Sequence, residues 1–306
     1  MEYFTAAPEV EDTGKRIDVY ISLVRDELSR SQVQKLIGDG HVTVNGKQVK
    51  SNYKLKKDDI IDLEIPEPEP IDIKEENIPL DIIYEDKDII VINKPQMMVV
   101  HPAAGHYSGT VVNALMYHCR GELSGINGIM RPGIVHRIDM NTSGVIVAAK
   151  SDSAHRSLAL QFAEHTINRR YRAIVCGNIK DDNGTVDGPI GRSPKDRKKM
   201  AIVRDGKRAV THFSVIERFG RYTYIEAVLE TGRTHQIRVH MASIGHPLLG
   251  DDIYGSVKQP YGLKGQVLHA GLLGFIHPTK GEYMEFRSEI PEYFQRLLEK
   301  FRQNRF

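Results

Sequence analysis

The chain has 306 residues, 40% of them hydrophobic and 27% charged, which suits a globular protein of one large domain plus a small one. No apolar run approaches the ~20 residues that cross a bilayer, no basic and then apolar leader opens the chain, and the two cysteines, Cys119 and Cys176, form no C-x-x-C pair. These exclude a membrane protein, a secreted disulfide scaffold and a cysteine-rich zinc site, and a reducing cytoplasm is expected. Eleven acids and two lysines make residues 61–88 −9, so the rest of a chain whose formal charge is +2 carries +11. A basic body of this kind is compatible with a nucleic-acid partner.

Residues 1–12 show no period and are expected to be loose. From Arg16, the apolar positions Ile17, Tyr20, Ile21 and Leu23 predict a helix. Ser29-Arg-Ser31 offers an N-cap for a second helix carrying Val33, Leu36 and Ile37, which Gly38-Asp-Gly40 stops. Val42 and Val44 alternate before Asn45-Gly46, a strong hairpin signal. Pro66-Glu-Pro-Glu-Pro70 reads as a stiff acidic linker. The boundary lies there, with one domain at 13–74 and a larger one at 75–306.

In the larger domain, Leu80–Tyr84 and Asp88–Asn93 predict two strands, and Thr110–His118 a helix. A strand at Val145–Lys150 precedes a helix at Ser153–His165, then strands at Arg170–Val175 and Arg221–Glu230. A helix is expected from near Arg233 to Gly245 with Ile237, Met241 and Ile244 facing the core, and Pro291–Phe301 closes the chain as another. Many strands with helices at irregular intervals imply an α+β fold, a mixed sheet flanked by helices.

Three segments carry chemistry. In Gly133-Ile-Val-His-Arg-Ile-Asp-Met-Asn-Thr-Ser-Gly144, Asp139 follows His136 and Arg137 in a polar turn beside a buried strand. Such a carboxylate suits acid, base or nucleophilic work, although an acid bonding its own turn and pairing with Arg137 is the more ordinary explanation. In Leu229-Glu-Thr-Gly-Arg-Thr-His-Gln-Ile-Arg-Val-His-Met241, Arg233 stands at a strand-to-helix junction, with His235, Arg238 and His240 as further donors; a solvated basic helix face fits too. The i, i+5 spacing of His235 and His240 does not suit a metal site, and no metal is expected. In Asn168-Arg-Arg-Tyr-Arg-Ala173, Tyr171 has cations on both sides and could stack under a base or pack in the core. The loop around Asn93-Lys-Pro95 and the basic residues of 192–208 are weaker signals. Nucleotide-binding glycine motifs and the serine-hydrolase elbow are absent.

Together these segments resemble the RluA-type family of RNA pseudouridine synthases, with Ile138 where that family most often has Leu and Arg170 where Lys is common. Leu268-His-Ala270 and Phe275-Ile-His-Pro278 are similar to its C-terminal strands. The N-terminal unit resembles the RNA-binding module named after the fourth small-subunit ribosomal protein, through Arg16, Ser29-Arg-Ser, Gln34, Gly40 and Val44-Asn-Gly46. The resemblance implies a mainly antiparallel sheet and cofactor-free isomerisation of uridine to pseudouridine. Asp139 would be the essential carboxylate, acting at ribose carbon 1′ or promoting loss of the 2′ proton. Arg233 would pair with it and Tyr171 would stack on the base. His136, Arg137, Thr142 and Ile237 would bind substrate, and Arg16, Arg30, Gln34, Lys35, Asn45 and Lys47 would contact RNA. Large-subunit ribosomal RNA is the expected partner and tRNA the second choice, with the enzyme a cytoplasmic monomer. A non-catalytic ribosome-assembly factor or a hydrolytic N-glycosidase are the competing functions; the latter would need a second acid to activate water.

Overall fold

The computed structural model describes residues 2–25, 27–66, 73–103, 106–126, 128, 131–196, 199–255 and 260–303. The chain divides into two compact units, Met1–Ile71 and Asp72–Phe306. The proline-rich linker falls largely outside the described residues.

The first unit runs β1 (Glu2–Ala6), α1 (Ile17–Val24), α2 (Arg30–Gly38), β2 (Val42–Val44), β3 (Lys47–Gln48) and β4 (Ile61–Ile65). Ser29 and Gln32 cap α2 reciprocally. Asn45 and Gly46 turn the β2–β3 hairpin with positive φ of 49° and 74°, the backbone that a two-residue hairpin loop requires. The expectation of a loose start is corrected: Glu2–Ala6 pairs antiparallel with β4, from Glu2↔Ile65 to Ala6↔Ile61. Its order comes from ladder bonds to a strand some sixty residues on, which no local period reveals. The helices and the β1-β4-β2-β3 sheet enclose Ile17, Ile21, Val33, Val42, Ile61 and Leu63.

The second unit runs β5 (Ile82–Glu85), β6 (Ile89–Lys94), α3 (Val111–Cys119), β7 (Ser143–Ala149), α4 (Asp152–Ala163), β8 (Asn168–Cys176), β9 (Asn183–Asp187), β10 (Ile190–Arg192), β11 (Met200–Ile202), β12 (Val210–Arg218), β13 (Tyr222–Leu229), α5 (Gln236–Ser243), β14 (Leu268–Ile276), β15 (Tyr283–Arg287) and α6 (Glu292–Arg302). Its main sheet has the order β5-β6-β7-β14-β8-β13-β12-β9, with β15 also on β14. Among the described residues every pairing in it is antiparallel except β14 with β7, where His269 faces Ser143 and Ala270 faces Gly144. This is the mixed, mainly antiparallel sheet flanked by helices that the sequence implied.

The continuous apolar run of β7 reflects burial on both faces. Ile146 and Ala148 join Ile90 and Ile92 against α3, while Val145 and Val147 join Ile89 and Val91 against α4. Farther along the sheet, Val175, Ile225 and Ala227 pack on α5, and Ile174, Tyr222 and Tyr224 pack on α6. Tyr171 touches both the α3 and the α5 cores. It lies where one face of the sheet is left between two covering helices.

Two details differ from expectation. Helix α5 starts at Gln236, not near Arg233, and Ile244 is 40% exposed rather than in the core, because the helix has ended at Ser243. Part of the basic stretch 192–208 is not loop but the β10–β11 hairpin.

Candidate active site

An open pocket of about 380 Å³ is lined by Arg137, Ile138, Asp139, Tyr171, Leu229, Arg233, His235, Gln236, Ile237, Arg238 and Leu268. The loop before β7 brings Asp139 to it. The Thr142 backbone N–H donates to the Asp139 carbonyl at 3.0 Å and closes the turn. Gly144 then lets β7 run against β14: a Cβ there would lie 2.2 Å from the Ala270 carbonyl oxygen, and its φ is 117°.

Arg238, not Arg233, is the partner of Asp139. Its Nη1 donates to Asp139 Oδ2 at 2.9 Å, while its Nε and Nη2 fork onto Asp251 at 2.7 and 3.0 Å. Asp251 is wholly buried and also accepts from the Ile253 and Tyr254 backbone N–H groups, both at 3.0 Å. Because helical side chains lean toward the N-terminus, a residue inside α5 reaches Asp139, whereas Arg233 sits in the turn before it. Arg233 still lines the pocket, and its Nε donates to the Arg208 carbonyl at 3.0 Å. On Asp139's other side, His235 Nε2 lies 3.8 Å from Oδ1.

Tyr171 and Ile237 line the pocket as expected, and burial raises the Tyr171 pKa. Arg137 also lines it, its Nη1 donating to His101 Nε2 at 3.2 Å. Burial, with Arg137 and Arg131 nearby, lowers His101 to about 4, so it is a neutral acceptor. His136 and Thr142, expected on substrate, turn inward instead. His136 Nε2 accepts from the Val147 N–H at 3.0 Å and its ring stacks on Phe162 at 4.4 Å. Burial and then Arg169 push its pKa down to about 3. Thr142 is buried and its hydroxyl accepts from Gln266 at 3.2 Å. Both tie the loop that carries Asp139 to its surroundings, His136 to strand β7 and Thr142 to the segment before β14. His240 faces away, between Thr211 and the Gly188 carbonyl, and does not converge with His235. Among the described residues no group of three or more His, Cys, Asp or Glu could hold a metal ion, and no helix is long and apolar enough to cross a membrane.

A family model for RNA pseudouridylate synthase matches residues 88–243, and one for the S4 domain matches residues 15–61. The chain belongs to the RNA pseudouridine synthases. An RNA pseudouridine synthase of Bacillus subtilis, YlyB, described as uncharacterized, is 54% identical over 96% of both chains. Ribosomal large subunit pseudouridine synthase D of Zymomonas mobilis is 50% identical over 94% of both. The solved structure of human RNA pseudouridylate synthase domain containing 1 is 25% identical, with a TM-score of 0.56 over 78% of this chain and 98% of that one.

The sequence left one residue of this pseudouridine synthase unassigned. Lys94 ends β6 with its side chain wholly buried, and its Nζ donates to the carbonyls of Pro95, Met98 and Met140 at 2.8, 2.8 and 3.1 Å. Burial lowers its pKa to about 7 while the Asp139 charge pulls it back up. Three acceptors match the three N–H bonds of an ammonium, so the loop is built for the charged form. Lysine in a polar loop is too common a pattern to have signalled this. Lys94→Met would strand three carbonyls and is expected to cost roughly 3 kcal/mol or more in a urea titration; an unchanged midpoint would show the loop finds other donors.

In the S4 unit of the synthase, Arg16, Arg30 and Gln34 converge on Asp18. Arg16 Nε and Nη2 and Arg30 Nε each donate at 3.0 Å, and Gln34 Nε2 at 2.6 Å. Burial would raise the Asp18 pKa, but these donors outweigh it and bring it to about 2. Lys35 and Lys47 are exposed. Asn45 is occupied with the turn, donating to Asp59 at 3.0 Å and accepting from the Ile60 N–H at 2.9 Å. Asp18→Ala is expected to destabilise this unit by about 2 kcal/mol through lost charge-assisted bonds. Urea unfolding of the whole chain, followed at reporters in this unit, reads the change; no change would mean the guanidiniums are held otherwise.

Proposed function

We propose that the enzyme isomerises specific uridines in large-subunit ribosomal RNA, as a cytoplasmic monomer without a cofactor, with residues 13–74 docking RNA and 75–306 performing the reaction. The observation that carries this is the Asp139 carboxylate, 21% exposed in the pocket and fixed by Arg238 at 2.9 Å beside Tyr171 and Ile237. Asp139 works at the sugar of a flipped uridine, at carbon 1′ or through the 2′ proton. Arg238 holds it in place through the 2.9 Å bond to Oδ2. Tyr171 stacks on the base, the apolar side chains of Ile237, Leu229 and Leu268 hold the released uracil away from water while it turns, and Arg137 and Arg233 meet the RNA backbone. Asp139 is the one acid among the described residues lining this pocket, which argues against a hydrolase with a second carboxylate to activate water.

Ribosomal RNA as the target is supported by the relative named for the ribosomal large subunit and by the S4 match. Chemical mapping of pseudouridine in ribosomal RNA and tRNA from a deletion strain tests it. Loss of one or more large-subunit sites, restored by the gene, is the expected result; loss confined to tRNA would transfer the assignment there, and no loss at all would sink it.

A further inference from the structure

His235 stands directly before α5 with φ at 57°, a left-handed backbone that a side-chain-bearing residue adopts only when its surroundings enforce it. Its imidazole is held by Tyr254. The Tyr254 hydroxyl accepts from the Met200 backbone N–H at 2.9 Å and lies 2.8 Å from His235 Nδ1. A phenol has one proton to give. With the Met200 N–H on its oxygen, donation to Nδ1 is what uses that proton, and an imidazole that accepts there carries its own proton on Nε2. That nitrogen is the one 3.8 Å from Asp139 Oδ1, while Arg238 holds Oδ2 at 2.9 Å.

We propose that His235 is a positioning residue for the isomerisation: Tyr254 fixes its tautomer, and its Nε2–H steadies the second oxygen of Asp139. This rests on Asp139 being the reacting carboxylate. At 3.8 Å the contact is not yet a hydrogen bond, and a shift of roughly 0.8 Å makes it one. A carboxylate that makes this shift on meeting the sugar gains a stronger donor as the reaction proceeds, which is where an interaction accelerates chemistry. Burial lowers the His235 pKa, with Arg238 and Arg137 adding to it against Asp139. A neutral imidazole donates without offering Asp139 a full proton, and it does not duplicate the charge of Arg238.

Three substitutions separate this from a packing role. In His235→Gln the side-chain amide reaches the position of Nε2; in His235→Asn it reaches only that of Nδ1, although Asn tolerates the left-handed backbone best. In His235→Phe there is no donor. The assay is single-turnover pseudouridine formation on large-subunit ribosomal RNA from cells lacking the gene, with Asp139→Asn as the blank. Gln is expected within about threefold of wild type, and Asn and Phe slower by about thirtyfold or more, while the denaturation midpoint of Asn is at least that of wild type. Asn equal to Gln, or all three equal to wild type, would overturn the proposal. Nitrogen NMR of the imidazole needs no RNA: Nε2–H with bare Nδ1 in wild type, and a mixture in Tyr254→Phe, is expected. A bare Nε2 in wild type would overturn it too. An inactive wild type on that RNA would count against the assigned substrate alone, and the NMR result would still decide the role of His235.

Discussion

Asp139→Asn is expected to lower pseudouridine formation by about four orders of magnitude or more, since removing the group that does covalent or proton-transfer work leaves only binding and orientation. The amide is the same size as the carboxylate, and its oxygen can still accept from Arg238, which now donates to Asp139 at 2.9 Å. The fold should therefore lose less than about 1 kcal/mol, and RNA affinity should stay close to wild type. A denaturant titration, a filter-binding titration and single-turnover kinetics on the same preparations check the three parts. Turnover near that of wild type would remove Asp139 from the chemistry altogether.

Arg238→Met is expected to cost both activity and stability. It leaves Asp251 buried with only the Ile253 and Tyr254 N–H groups, each at 3.0 Å, and breaking a buried pair by deleting one partner typically costs about 3–5 kcal/mol. Asp139 loses its cation as well, for a fall in rate of about a hundredfold or more. Arg238→Lys should recover little, because one ammonium cannot fork onto Asp251 while reaching Asp139; a lysine variant with wild-type rate and midpoint would show that charge alone suffices. Burial would raise the Asp251 pKa, yet the hydrogen bonds and charge of Arg238 bring it below its ordinary value. The folded value is thus the lower one. The stabilisation is complete above about pH 4, the unfolded carboxylate value, and fades as pH falls through the folded value. Wild type should lose stability across that acid range more steeply than Arg238→Met, as unfolding measured from pH 6 downward would show.

Much of this site was legible in the sequence because its residues sit in dense local motifs. Asp139, Tyr171 and Ile237 each stand beside strong strand or helix patterns, and all three line one pocket. That Asp139 pairs with Arg238 and not Arg233 was not legible because helix starts are the least readable part of a helix: two residues, Thr234 and His235, separate Arg233 from the first helical residue, Gln236. His136 and Thr142 show the opposite limit. A polar residue next to a reactive one looks like a substrate contact, and only the geometry reveals that its hydrogen bonds are spent on anchoring the loop to β7 and to Gln266. Strand β1 and buried Lys94 were beyond local reading, since the first depends on a distant strand and the second on three carbonyls that converge only after folding.

The single parallel pairing of the sheet has a consequence for the protein's synthesis. Strand β14 inserts between β7 and β8, joining Ser143 to His269 on one side and Tyr171 to Ala270 on the other. The strand that follows Asp139 and the strand that carries Tyr171 are therefore joined only when β14, which begins at Leu268, arrives between them. Contacts of such long range form late. A nascent chain that has already emerged past α5 holds every pocket side chain except Leu268, yet has no template to set their spacing. The enzyme becomes competent only once β14 has been made and seated, so truncation between α5 and β14 should yield a chain that binds RNA through its first unit but modifies nothing.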